Sequence, residues 1–105
     1  MKTPAVMRVL DTARAALAGQ YDVLEACVDI DLARHELIGV PDDIMKVFLV
    51  VSSEADALPL GIDRRNWEPE ALRQKDIEAE RYRNAIGDVV RDALRALIAT
   101  LEAQA

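Results

Sequence analysis

The chain has 105 residues, 51% of them apolar and 30% charged, the size and balance of one globular domain over 1–105 with no room for a second. Seventeen alanines and twelve leucines stand against four aromatic residues, with glycine and proline at four each, so helix formers outweigh strand and turn formers. A formal net charge of −6 counts against sequence-independent binding to DNA or RNA and against an anionic membrane surface, both of which call for a basic face.

In chain order, the first element opens at Thr3-Pro4, a hydroxyl suited to the N-cap followed by proline at the first helical position, where its missing N–H is harmless. Val6, Val9, Leu10, Ala13, Ala16 and Leu17 recur at steps of three and four until Gly19 offers a stop, which predicts a helix over 4–18. From Tyr21 to Ile38, the residues Tyr21, Leu24, Val28, Asp31, His35 and Ile38 would share one stripe of a second helix. The rival there is a short strand over Val28–Leu32, which lacks turn residues at its edges.

Gly39 ends that segment, and Val40-Pro41-Asp42-Asp43 opens a third helix with two acids where the helix dipole favours negative charge. Its core stripe is Ile44, Val47, Phe48, Val51, Ala55 and Leu58, yet Met45, Leu49 and Val50 lie off it. A helix apolar nearly all round is expected to be central or covered on two sides. A strand over 46–51 is the alternative, because periodicity does not arbitrate short apolar runs.

Leu58-Pro59-Leu60-Gly61 breaks the third helix, and the stretch from Ile62 to Pro69 is the one substantial connection. Pro69 starts a fourth helix with Glu68 at its cap, and Trp67 and Leu72 stand where a hydrophobic staple needs them. This helix is predicted over 69–102, with Leu72, Ala79, Tyr82, Ile86, Val89, Val90, Ala93, Leu94, Leu97 and Leu101 on one face. At 1.5 Å per residue it would span roughly 50 Å, against a radius of gyration near 13 Å expected of a compact chain of about this length. One end must therefore project or pair with a second protomer; Gly87 is the cheapest place for a bend, and Ile77, opposite the stripe, suits a partner contact. The expected fold is an all-α antiparallel four-helix bundle with a long C-terminal helix, forming a homodimer through that helix.

Residues 1–19 carry +2, residues 20–63 carry −8 and residues 64–105 are neutral, so the acidity belongs to the middle of the chain. On the second predicted helix Asp22, Glu25, Asp29 and Glu36 form a row with no basic residue among them, and Asp42 and Asp43 follow. Such segregation points to a basic protein partner, since potentials across an interface tend to be complementary. Arg64, Arg65 and Trp67 make a second expected contact region, arginine and tryptophan being enriched at binding hot spots.

Chemistry is weakly signalled. Asp31 and His35, four apart on one stripe, could pair carboxylate with imidazole, and Glu54 would complete a site that binds a metal or performs acid–base chemistry. The bland reading is a buried polar pair satisfied for structural reasons. The Glu-x-x-His pairs of di-iron bundles are absent, Ser52 and Ser53 lie in a predicted helix without a glycine-rich elbow, and Cys27 reads as a small hydrophobe. No catalytic residue is assigned and no cofactor is expected.

The function predicted is a small acidic helical interaction module, an adaptor or an immunity-like protein that neutralises a basic toxin, by analogy of size and charge alone. The alternative from a different class is the carboxylate–histidine site. A lone cysteine gives no internal disulfide, Arg8, Asp11 and Arg14 interrupt any signal-peptide core, and no stretch is long and apolar enough for a membrane span, so the cytoplasm is the expected setting.

Overall fold

Thr3 starts the first helix as a capping hydroxyl should: its Oγ1 accepts from the Val6 N–H at 3.2 Å, Pro4 takes the first turn, and α1 runs Pro4–Leu17. The structure, a computed structural model, describes residues 2–104. α1 stops in a Schellman turn. Gly19 has φ 76°, the Gln20 N–H reaches the Ala15 carbonyl at 2.9 Å and the Gly19 N–H reaches Ala16 at 3.2 Å.

The second helix is shorter than its periodicity predicts. α2 covers Val23–Leu32, and a separate 3₁₀ turn covers Arg34–Glu36. Arg34 supplies a reason: its guanidinium donates to the Asp31 carbonyl at 3.0 Å, satisfying one of the carbonyls that a helix end leaves open. The tighter winding of the 3₁₀ turn also changes which residue faces inward, so Leu37 is 4% exposed and Ile38 is 82% exposed. Gly39, at φ 86°, then turns the chain toward the end of the last helix, where Gln104 Nε2 donates to the Ile38 carbonyl at 2.7 Å. A Cβ on Gly39 would stand 2.9 Å from that nitrogen.

α3 runs Asp42–Ala55, so residues 46–51 are helical, as are 28–32, and neither rival strand forms. Its packing against α2 is the most extensive in the molecule. The expectation that this helix is covered on two sides is corrected in part. α3 contacts α2 and α4, but Leu49 and Val50 remain 48% and 44% exposed, because the faces meeting those helices leave an apolar outer ridge.

After a 3₁₀ segment over Gly61–Asn66, α4 runs Pro69–Ala103 for 35 residues, continuous through Gly87. Of its buried residues only Ala79 precedes Gly87; Val90, Ala93, Leu94, Leu97 and Leu101 all follow. They meet Leu24, Cys27 and Ile30 of α2, Phe48 of α3, and Val9, Leu10 and Ala13 of α1 in one core. Among the described residues the fold is all-α, a bundle of four α-helices with a long last one, 49 Å along its greatest axis. No helix is long and apolar enough to cross a membrane among those residues.

The two halves of α4 should therefore respond differently to truncation. Leu94→Ala, in the fully buried core, is expected to cost about 2–5 kcal/mol of unfolding free energy. Ile77→Ala, at 47% exposure, should stay within about 0.5 kcal/mol. Urea unfolding of both variants checks the contrast.

Candidate protein-interaction surfaces

The acidic face begins at Asp22, the residue capping α2, whose carboxylate is held by Arg83 of α4 in two bonds of 2.7 and 3.0 Å. A planar guanidinium meeting a carboxylate in this paired manner is a strong polar contact. Tyr21 donates its hydroxyl to Asp29 Oδ2 at 2.6 Å, and that bond, together with burial and the nearby acids, raises the phenol above its ordinary value. Between these lies Glu25. Burial first, then repulsion from Asp22 and Asp29, raise its carboxyl above the usual glutamate range, and Arg83 offsets this only in part. Glu36 sits on the 3₁₀ turn beyond the end of α2, exposed and apart from the row. The row is thus Asp22, Glu25 and Asp29, met by a cation that lies 61 residues away in sequence.

In the second predicted contact region Arg64 holds the connection onto α4. Its guanidinium donates to both Asp76 oxygens at 2.7 and 3.0 Å, and it reaches the Pro59 carbonyl at 3.4 Å. That pairing lowers the Asp76 carboxyl and raises Arg64. Arg65 is exposed, and Trp67 is half-buried immediately before α4.

Asp31, His35 and Glu54 are not brought together. Because α2 ends at Leu32, His35 leaves the helical stripe and lies exposed on the 3₁₀ turn. Asp31 is 8% exposed, its Oδ2 is 3.8 Å from Arg34, and its buried Oδ1 has no hydrogen-bond partner among the described residues. It borders a cavity of about 280 Å³ with Met45 and Leu49 on one flank of α3, whereas Glu54 lies on the other flank. Among the described residues no group of three or more His, Cys, Asp or Glu side chains is placed to hold a metal ion. Cys27 is fully buried, and burial pushes its thiol up to about 12, so the nucleophilic thiolate is suppressed.

A feature that periodicity alone did not locate lies between α3 and α4. Val47, Val50 and Val51 face Tyr82, Ile86 and Val89 across a groove of about 390 Å³. Val50 and Val89 are 44% and 57% exposed, so the trough is apolar and open to water. The Tyr82 hydroxyl is buried without an acceptor in bonding geometry. Burial first, and then the Glu54 carboxylate acting through a hydrogen-bonding approach and its charge, raise it above the ordinary tyrosine value, so Glu54 stands beside this hydroxyl although outside strict bonding geometry. The sequence signal for this groove was the set of apolar residues off the α3 core stripe, Val50 among them.

Tyr82→Phe removes a buried hydroxyl that has no partner in strict bonding geometry and only the exposed Glu54 beside it, so it should change stability by no more than about 1 kcal/mol in thermal or urea unfolding. Cys27 should react with a disulfide reagent such as dithionitrobenzoate only as the protein unfolds; rapid reaction of the folded chain would contradict its burial.

Comparison with protein-family models, with curated proteins and with solved structures finds no match to this chain.

Proposed function

We propose that this chain is a small acidic helical interaction module that engages a basic protein partner, as an adaptor or as a neutralising binder. The observation that carries this reading is the row Asp22, Glu25 and Asp29 on one face of α2, where burial first and then repulsion from Asp22 and Asp29 hold the Glu25 carboxyl above its usual range. The raised value means that the folded state prefers Glu25 protonated. Its ionised form therefore costs stability once the pH passes the ordinary glutamate range, and the cost is absent below it. A lysine or arginine brought by a partner would relieve that repulsion, so the free protein stores in this face part of the driving force for association. Arg65 and Trp67 offer a second contact region, and a second copy along the sparsely covered first half of α4, near Ile77, is a further partner in the same reading. The proposed setting is the cytoplasm, with Cys27 reduced.

Glu25→Gln is expected to stabilise the free protein at neutral pH by about 0.2–0.5 kcal/mol for each like-charge pair relieved. The gain should vanish at about pH 3, below the ordinary glutamate value of about 4.3. In affinity capture, the double variant Glu25→Gln, Asp29→Asn should lose proteins that the native chain holds at low salt and releases at high salt. Retention of the same proteins by the variant would sink the reading.

A further inference from the structure

We infer that the groove between α3 and α4 receives an amphipathic helix of a basic partner protein. The inference rests on the interaction-module reading and gives it a site separate from the α2 carboxylates.

Shape is the first argument. Asp43 and Glu54 both border the groove, and they stand about 16 Å apart along the α3 axis at 1.5 Å rise per residue, three helical turns. Apolar anchors at i, i+3 or i+4, and i+7 span about 10.5 Å, so this length takes that set with about one further turn, and such a set is how an amphipathic helix fills a groove between two others. A small molecule would be left half in water, because Val50 and Val89 on opposite banks are 44% and 57% exposed, whereas small-ligand sites bury most of their ligand.

Charge selects among helices. On the α3 bank Asp43 and Glu54 have no ion-pair partner among the described residues, and Lys46 is the cation that borders the groove with them. On α4, by contrast, Asp88 pairs with Arg91 at 2.8 Å and Asp92 with Arg95 at 3.1 Å. The α4 residues bordering the groove, Tyr82, Ile86 and Val89, bring no charge and the acids beyond them are paired, so the two carboxylates against one lysine on α3 set its sign, which suits an occupant with leucine-like anchors flanked by lysine or arginine. A second copy of this chain, carrying −6 itself, is a poorer match.

The test uses a synthetic peptide of about 18 residues, leucine at the helical anchor spacing and lysine elsewhere. Its controls are a scrambled sequence of the same composition and a leucine–glutamate counterpart. Calorimetric titration should show saturable one-to-one binding of the leucine–lysine helix, with both controls weaker by about tenfold or more. Val50→Thr with Val89→Thr, isosteric and on exposed positions, should weaken it by about tenfold, roughly what two buried methyl groups contribute. Asp43→Asn with Glu54→Gln, conservative changes at two exposed positions, should weaken it and flatten its salt dependence, with urea unfolding showing that the variant is folded. Glu25→Gln with Asp29→Asn should change it by less than about threefold. Binding that ignores both groove variants but is lost with the α2 variant overturns the groove while leaving the basic-partner reading intact. Equal binding of the scrambled peptide, or no saturable binding of the leucine–lysine helix, also overturns the groove, and affinity capture through the α2 face then decides the broader reading separately.

Discussion

Three helices of 14, 10 and 14 residues have to cover one of 35, and the shape of the molecule depends on that mismatch. At 1.5 Å per residue the short helices reach at most about 21 Å, against about 52 Å for α4. The fully buried core residues of α4 therefore lie from Gly87 onward, and before it α4 buries Ala79 and packs Tyr82 and Ile86 partly against the core. Along that first half, polar contacts act where apolar packing is thin: Arg83 is fixed to Asp22 of α2, and Arg64 ties the preceding 3₁₀ segment to Asp76. The two ties differ in worth. The Arg64–Asp76 side chains are 44% and 45% exposed, so solvent screens them, while those of Arg83 and Asp22 are 29% and 20% exposed and their pairing is correspondingly stronger.

The composition of the core sets the second constraint. With alanine so frequent and Phe48 the one phenylalanine, much of the buried surface is small: Ala13, Ala26, Ala55, Ala79 and Ala93 are all inside. Small residues let helix backbones approach closely, and a thin core takes in fewer large side chains. α3 carries more of these than the interior accommodates. Phe48 and Val51 go in, whereas Leu49 and Val50 stay out, and the groove beside α4 is the result. Apolar surface left open in this way is a standing cost that a covering partner would remove.

What the sequence revealed was local. The Thr3 cap, Pro4 and the left-handed Gly19 are determined by neighbours within a few residues, and α1 ends one residue from its expected limit at 18. Pro69 and the long stripe behind it likewise set α4 at Pro69–Ala103 against an expected 69–102. The end of α2 was not legible, because the three-and-four spacing through His35 and Ile38 is equally good whether or not Arg34 turns back onto the Asp31 carbonyl. With that turn the Asp31–His35 stripe disappears. Arg83 could not be assigned to the acidic row either, since nothing in the α2 periodicity identifies a cation from another helix. Met45, Leu49 and Val50 were visible as surplus apolar residues, but whether a surplus is covered or exposed depends on tertiary packing, which periodicity does not encode.

Charge placement follows the same local logic and gives the molecule its direction. α4 places acids and bases three residues apart again and again, Glu70 with Arg73, Lys75 with Glu78, Glu80 with Arg83, Asp88 with Arg91 and Asp92 with Arg95, so its field largely cancels within each turn. α2, α3 and the turn between them have only Arg34 and Lys46 against a run of carboxylates. The uncancelled negative potential therefore arises from the side of the bundle built by those elements. Such a field acts over about a Debye length, roughly 8 Å at physiological salt, and raises the rate at which a basic surface arrives. Apolar contact acts only on touching and governs how long it stays. In the proposed interaction the carboxylates of α2 and α3 would orient the partner, and the valines of the groove would retain it.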